Sequence, residues 1–257
     1  MGRDIIIEGI ILSCHNACMA KADLHMHTTF NDGMITPEKL VEKLAGEGQL
    51  SVIAVTDHDH VGGAYRAQAH AKKRGLKIEV VIGTEVSTRH GHIVGLFIEK
   101  PMKKFMSAED TIAAIHAQGG LAIAAHPMNF LTASLKKKKI LDIVSKKASG
   151  IYFDAIETAS SYPFFDWMEK KVKALNAEIK LPELGASDAH FPWEHGTSFT
   201  EFEGETAADL REAIRKGTTV ANRVPVPFKR YLSPILPYQM LRSWTWKSPF
   251  WPWQEKD

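Results

Sequence analysis

DLHMHTTFNDG, residues 23–33, ends a short apolar run in two histidines set two positions apart. If residues 22 to 27 are extended, successive side chains alternate between faces, so His25 and His27 share one face. That geometry suits two imidazoles on a shared metal, although a structural hydrogen-bonding pair would look the same. Asp32 follows in a turn that contains a glycine, which can bring its carboxylate back toward the strand end.

Similar clusters recur along the chain. TDHD places Asp57, His58 and Asp59 directly after VIAV, Glu85 ends VVIGTE, and His92 opens HIVGLF. His126 lies in AIAAHP, and Asp188 with His190 repeats the two-residue spacing after LGAS. Each alone reads as a capping carboxylate or a core histidine. As a set they are too costly to bury without partners, and a metal site resolves that cost.

Strands are predicted at residues 22 to 27, 52 to 56, 78 to 83, 92 to 98, 121 to 125, 155 to 157 and 183 to 187. Helices are predicted at residues 37 to 47, 62 to 74, 108 to 118, 164 to 176 and 207 to 216, with capping starts at Ser107/Asp110 and Thr206/Asp209. Such alternation predicts a mainly parallel α/β sheet. Ligands at many strand ends converge naturally only in a closed barrel, at its carboxyl-terminal mouth. No internal repeat or long Gly/Ser linker divides the chain, so one domain is expected.

The 257 residues carry 44% hydrophobic and 24% charged side chains, and this balance excludes a membrane-embedded or wholly disordered chain. A formal charge of +2 does not by itself indicate nucleic-acid binding. Cys14 and Cys18 are the two cysteines, which excludes a disulfide-stapled scaffold and fits a cytoplasmic setting. The stretch Ile5 to Leu12 is interrupted by Glu8 and is far too short to span a bilayer. Residues 1–18 are read as an N-terminal extension or an added strand, 19–230 as the catalytic domain, and 231–257 as a Trp/Pro-rich tail packed on the domain or a subunit interface.

The order of DLHMHTTFNDG, TDHD, GTE, HIVGL, AHP and SDAH resembles the polymerase and histidinol phosphatase (PHP) family of metal-dependent phosphoesterases, over roughly residues 21 to 222. The resemblance implies a distorted (β/α)7 TIM-like barrel with two to three divalent ions (Zn, Mn or Fe) at its mouth. By motif, His25, His27, Glu85 and Asp188 would hold one ion, Asp32, His58 and His190 a second, and His92 and His126 a third, with Glu85 bridging. His90 is the rival of His92, or a proton donor. Asp57 and Glu157 would orient ligands or water, and Asp57 and His90 are the candidates for proton transfer.

In the implied reaction a metal-bridging hydroxide attacks phosphorus in line, with no Ser or Cys nucleophile. The expected substrate is an anionic phosphate ester, a small phosphomonoester or a nucleotide. Arg89 and Arg223 are candidate phosphate clamps. Lys136 to Lys139 form a basic run that leaves an oligonucleotide substrate open, but such runs are more often solvated loops or helix starts. The alternatives are an exonuclease, a non-catalytic metal-stabilised binding module, or hydrolysis at carbon.

Overall fold

In a computed structural model the described residues are 6–7, 10–11, 18–161, 166–231, 237 and 241. Eleven strands occur among them: β1 (Ile6–Ile7), β2 (Ile10–Ile11), β3 (Met19–Asp23), β4 (Val52–Val55), β5 (Glu79–Thr88), β6 (Gly91–Leu96), β7 (Leu121–Ala124), β8 (Ala155–Ala159), β9 (Glu183–Gly185), β10 (Ser198–Glu203) and β11 (Val220–Arg223). The helices are α1 (Pro37–Glu47), α2 (Gly62–Arg74), α3 (Ala108–Ala117), α4 (Lys137–Ser145), α5 (Asp166–Ile179) and α6 (Ala207–Lys216). Among the described residues β1 and β2 pair with each other and not with the main sheet. Most of the expected tail, and residues 164 and 165 of the fourth predicted helix, lie outside the described residues.

The main sheet has nine strands in the order β11-β10-β3-β4-β5-β6-β7-β8-β9 and curls into a nearly closed barrel. Side chains of β4 to β7 alternate between its two faces. Val52, Ala54, Val81, Val94, Leu96, Leu121 and Ile123 fill the interior. Ile53, Val55, Val80, Ile82, Ile93, Ala122 and Ala124 face outward to α1, α2 and α3. Leu210, Ala213 and Ile214 of α6 join the interior cluster. α6 lies across strand starts, because the Ala207 N–H bonds Glu79 Oε2 at 2.8 Å and Arg211 bonds the carbonyl of Gly119. Both expected capping starts are present, and Thr206 with Asp209 forms a full capping box.

The mainly parallel arrangement needs correction. β3–β4, β4–β5, β7–β8 and β8–β9 are parallel, but β6 is antiparallel to both neighbours, as is β10. Only Arg89 and His90 separate β5 from β6, and a connection that short can only reverse the chain. β3 also ends at Asp23, so His25 and His27 lie just past its ladder, where Met26 bridges Ala189.

Side chains and a close backbone approach close the barrel seam. Thr200 Oγ1 accepts from Gly185 N at 3.1 Å and donates to Gly185 O at 2.9 Å, while Thr219 Oγ1 donates to Glu183 O at 2.8 Å. A Cβ on Gly185 would lie 2.2 Å from Phe199 O and 2.7 Å from Asn222 O. Gly185→Ala is therefore expected to lower stability by about 1–3 kcal/mol through overpacking. Thr200→Val should cost about as much by leaving the Gly185 groups unpaired. Urea denaturation checks both, and unchanged midpoints would remove the seam as a stability determinant.

Candidate metal centre

The mouth of the barrel gathers six imidazoles and three carboxylates. Glu85, on the interior face of β5, stands at the centre. Its Oε2 lies 3.3 Å from Nε2 of both His25 and His27 and 3.1 Å from His58 Nδ1. Its Oε1 lies 2.6 Å from His92 Nδ1 and 2.7 Å from His126 Nε2. Asp188 Oδ1 is 3.4 Å from His25 Nε2 and 3.2 Å from His27 Nε2. Asp32 is 3.6 Å from His27, 3.8 Å from His58 and 3.3 Å from His190.

Burial favours the neutral forms, yet this cluster is charged. In Glu85 burial acts to raise the pKa, but His92, His58 and His25 outweigh it and hold the carboxyl well below its usual range. Asp32 is likewise held down, by His190, His58 and His27, against the effect of burial. Burial acts to depress His27, but Asp188, Glu85 and Asp32 prevail and raise it to about 10. In His58 burial wins, and the imidazole falls to about 3.

The donor set fits metal ions. Three groups have ligand atoms within 4.8 Å of one another: His27, Asp32, His58 and His190; His25, Glu85, His126 and Asp188; and His58, Glu85 and His92. All nine expected ligands are brought together. The partition differs from the one implied by motif, since His126 joins His25 and Asp188, and His27 joins Asp32. Nε2 of His25, both ring nitrogens of His27 and Nδ1 of His92 are buried with no hydrogen bond, and in each neutral ring the nitrogen without the proton can present its lone pair to a cation. His90 stands outside all three groups. His92 opens β6 rather than ending a strand, and reaches the mouth because β6 runs backward.

A second layer fixes these side chains. Glu157 Oε1 contacts His25 Nδ1 at 2.9 Å and its Oε2 accepts from His126 N at 2.6 Å, an arrangement that sets ring orientation in metal sites. His126 Nδ1 meets Ser134 Oγ at 2.7 Å. Asn31 grips the His58 backbone from both sides, donating to its carbonyl at 3.0 Å and accepting from its N–H at 3.1 Å. Both Asp57 oxygens accept from Thr28, from its N–H and its hydroxyl, each at 2.7 Å. Glu194 Oε2 accepts from His190 N and Phe191 N at 2.8 and 2.9 Å. His126 and Asp188 hold left-handed backbone at φ 25° and 50°, a strain found where surrounding contacts fix a functional side chain.

The remaining candidates lie outside the three ligand groups, although Arg223 lines a cavity shared with His126 and Glu157. His90 is half-buried, and its Nδ1 accepts from Ala108 N at 3.1 Å. Exposed Arg89 donates from Nε to Phe105 O at 2.7 Å. Arg223 is ion-paired with Asp166 and with Glu169, the latter at 2.9 Å. The basic run opens α4, where Lys139 pairs with Glu109 and Lys137 with Glu178. Sequence reasoning missed Asn31, Ser134 and Glu194. Only Asn31 carried a signal, by lying within the first motif.

A family model described as PHP domain matches residues 23–189, and one described as PHP-associated matches residues 170–219. An uncharacterized Methanocaldococcus jannaschii protein is 37% identical over 126 residues, 45% of this chain and 72% of its own length. A Haemophilus influenzae 5'-3' exoribonuclease is 36% identical over 107 residues, 40% of this chain and 38% of that one. A Chromobacterium violaceum 3',5'-nucleoside bisphosphate phosphatase is 41% identical over 85 residues, 32% of this chain and 29% of that one. The chain thus spans well under half of these two enzymes. In fold it is similar to a two-domain Bacteroides vulgatus protein containing a predicted PHP-like metal-dependent phosphoesterase, with a TM-score of 0.65, 20% identity, and coverage of 80% of this chain and 65% of that one.

Asn31→Leu keeps the side-chain volume but leaves two buried backbone groups of His58 unpaired. It is expected to cost about 1–3 kcal/mol for each group, read as a lower urea midpoint. An unchanged midpoint would show that the clasp contributes nothing.

Proposed function

Since the chain belongs to the PHP domain family of metal-dependent phosphoesterases, we propose that it hydrolyses a small phosphomonoester or a nucleotide at a centre of two to three divalent ions. The observation that carries this reading is the buried Glu85 carboxylate facing five imidazoles, flanked by Asp32 and Asp188. His25, His27, Asp32, His58, Glu85, His92, His126, Asp188 and His190 would hold the ions, and zinc, manganese and iron all suit imidazole and carboxylate donors. Bound there, the ions would lower the pKa of water and attract phosphoryl oxygens.

The chain's own residues do the rest. Glu157 orients His25 and the His126 backbone. Asp57, with both oxygens occupied by Thr28, positions the loop that carries Asp32 rather than moving protons. His90 suits proton transfer better: Nδ1 accepts from Ala108, so a neutral ring carries its proton on Nε2. Arg89 and Arg223 are the candidates for phosphate binding: Arg89 is exposed beside His90, and Arg223, paired with Asp166 and Glu169, lines the cavity shared with His126 and Glu157.

Residues 19–230 form the catalytic unit in this proposal, with 1–18 as an extension and 231–257 packed on the domain or a subunit interface. Among the described residues no helix is long and apolar enough to cross a membrane. A cytoplasmic setting is part of the proposal, and the free, exposed Cys18 agrees with it.

Elemental analysis of freshly purified protein should find two to three divalent metals per chain, and phosphate should be released from phosphomonoesters or nucleotides. Chelation should abolish turnover and lower the thermal midpoint, because a ligand at 100 times its Kd stabilises the fold by about 2.7 kcal/mol. Shortening of labelled oligonucleotides without phosphate release from small esters would favour the exonuclease. No retained metal after reconstitution, with no turnover, would sink the reading.

Glu157→Gln is expected to weaken metal binding about 10- to 100-fold. Competition against a chelating dye measures this, and wild-type affinity would remove Glu157 from the site's support.

A further inference from the structure

The loop that follows β7 is pinned along its length yet presents an apolar tip. His126 N is held by Glu157, Asn129 N donates to His126 O at 3.2 Å, and Met128 N donates to Leu135 O at 2.9 Å. Ala133 O accepts from His92 N at 2.7 Å, and Leu131 N donates to Asn129 Oδ1 at 2.9 Å. At the tip of this fixed loop Phe130 remains 64% exposed. Trp167, in the first turn of α5, is 46% exposed and stacks on Phe130 with ring centroids 6.1 Å apart and planes at 24°. Lys171 Nζ sits 4.4 Å from the Trp167 ring centroid.

This pair borders the metal centre. Asn129 and Met168, the chain neighbours of Phe130 and Trp167, both line a cavity of about 30 Å³ shared with His126 and Glu157. That cavity is too small for an organic group. One that extends from a phosphate at the centre past Asn129 and Met168 reaches aromatic surface with an ammonium beside it. Aromatic faces backed by a cation are suited to stacking nucleobases, whereas an aliphatic sugar phosphate gains little from them.

Building on the phosphoesterase reading, we propose that Phe130 and Trp167, assisted by Lys171, form a nucleobase-stacking subsite that makes this centre select nucleotides over aliphatic phosphate esters. Stacking of one base would give about a 5- to 150-fold advantage, taking about 1.4 kcal/mol per tenfold. Both adenosine monophosphate and the end of an oligonucleotide carry this chemistry.

The test uses the full-length, metal-loaded chain and the ratio of kcat/KM for adenosine monophosphate to that for glycerol phosphate. The ratio should fall about tenfold in Trp167→Ala and in Phe130→Ala, mainly through KM, and largely recover in Trp167→Phe. A ratio unchanged in both alanine variants overturns the proposal. The same measurement on a 5′-phosphorylated trinucleotide distinguishes the two sources, since a larger fall there places a base of an oligonucleotide on the pair. Calorimetry with the non-hydrolysable methylenephosphonates of adenosine and of ribose separates this proposal from the reading beneath it. If no ester is turned over but the adenosine compound binds more tightly in a Trp167-dependent way, the phosphoesterase reading falls and the subsite stands. Turnover with equal binding of the two compounds removes the subsite alone.

Discussion

A carboxylate sealed from water stays ionised only if positive charge or proton donors surround it, and Glu85 meets that condition with five imidazoles drawn from four separate stretches of chain. Removing an ion from water costs several kcal/mol even after relaxation, so the arrangement is stable only as a set. Each histidine is tolerated because Glu85, Asp32 or Asp188 faces it, and each carboxylate because the histidines do. The strand ends, the reversed β6 and the left-handed residues at His126 and Asp188 all serve to bring these groups to one point.

Below the polar mouth the interior is entirely different. Small and branched apolar side chains from alternate positions fill the barrel, and α6 closes its far end with Leu210, Ala213 and Ile214. The charged cluster therefore rests on a floor that water does not penetrate. Its contacts act at a lower effective dielectric than they would on a surface. The hydrogen bonds of Glu157, Asn31, Asp57 and Glu194 supply the lateral rigidity that an apolar floor does not.

His25 with His27 and Asp188 with His190 stood out in the sequence by their two-residue spacing, although each pair lies just past a strand end rather than in its ladder. Most helix positions followed from apolar periodicity and the Ser107 and Thr206 caps. Strand direction was not legible. VSTRHGH does not announce that Arg89 and His90 form a reversing turn, so β6, which brings His92 beside Glu85, runs against its neighbours rather than with them. β10, absent from the expected strands, alternates buried and less buried residues in SFTEFE. Ser134 and Glu194 act on backbone or ring atoms supplied by loops, and such contacts depend on loop shape rather than on local pattern. Lys136 to Lys139, read as a solvated loop or a helix start, open α4, and the pairing of Lys139 with Glu109 and of Lys137 with Glu178 depends on neighbours distant in sequence.

The hairpin between β5 and β6 also limits how this chain can vary. Glu85 lies opposite Val94, and Ser87 opposite His92, so Glu85 and His92 share the inner face through a two-residue turn. Side chains alternate with a period of two, and a slip of the β5–β6 register by one residue would rotate one partner into the helix-packed layer. A length change between the strands is compatible with the centre where the loop or a bulge absorbs it and the register stays as it is. The turn that carries Arg89 and His90 is in that sense governed by register: whatever residues it holds, it must return the chain with Ser87 opposite His92.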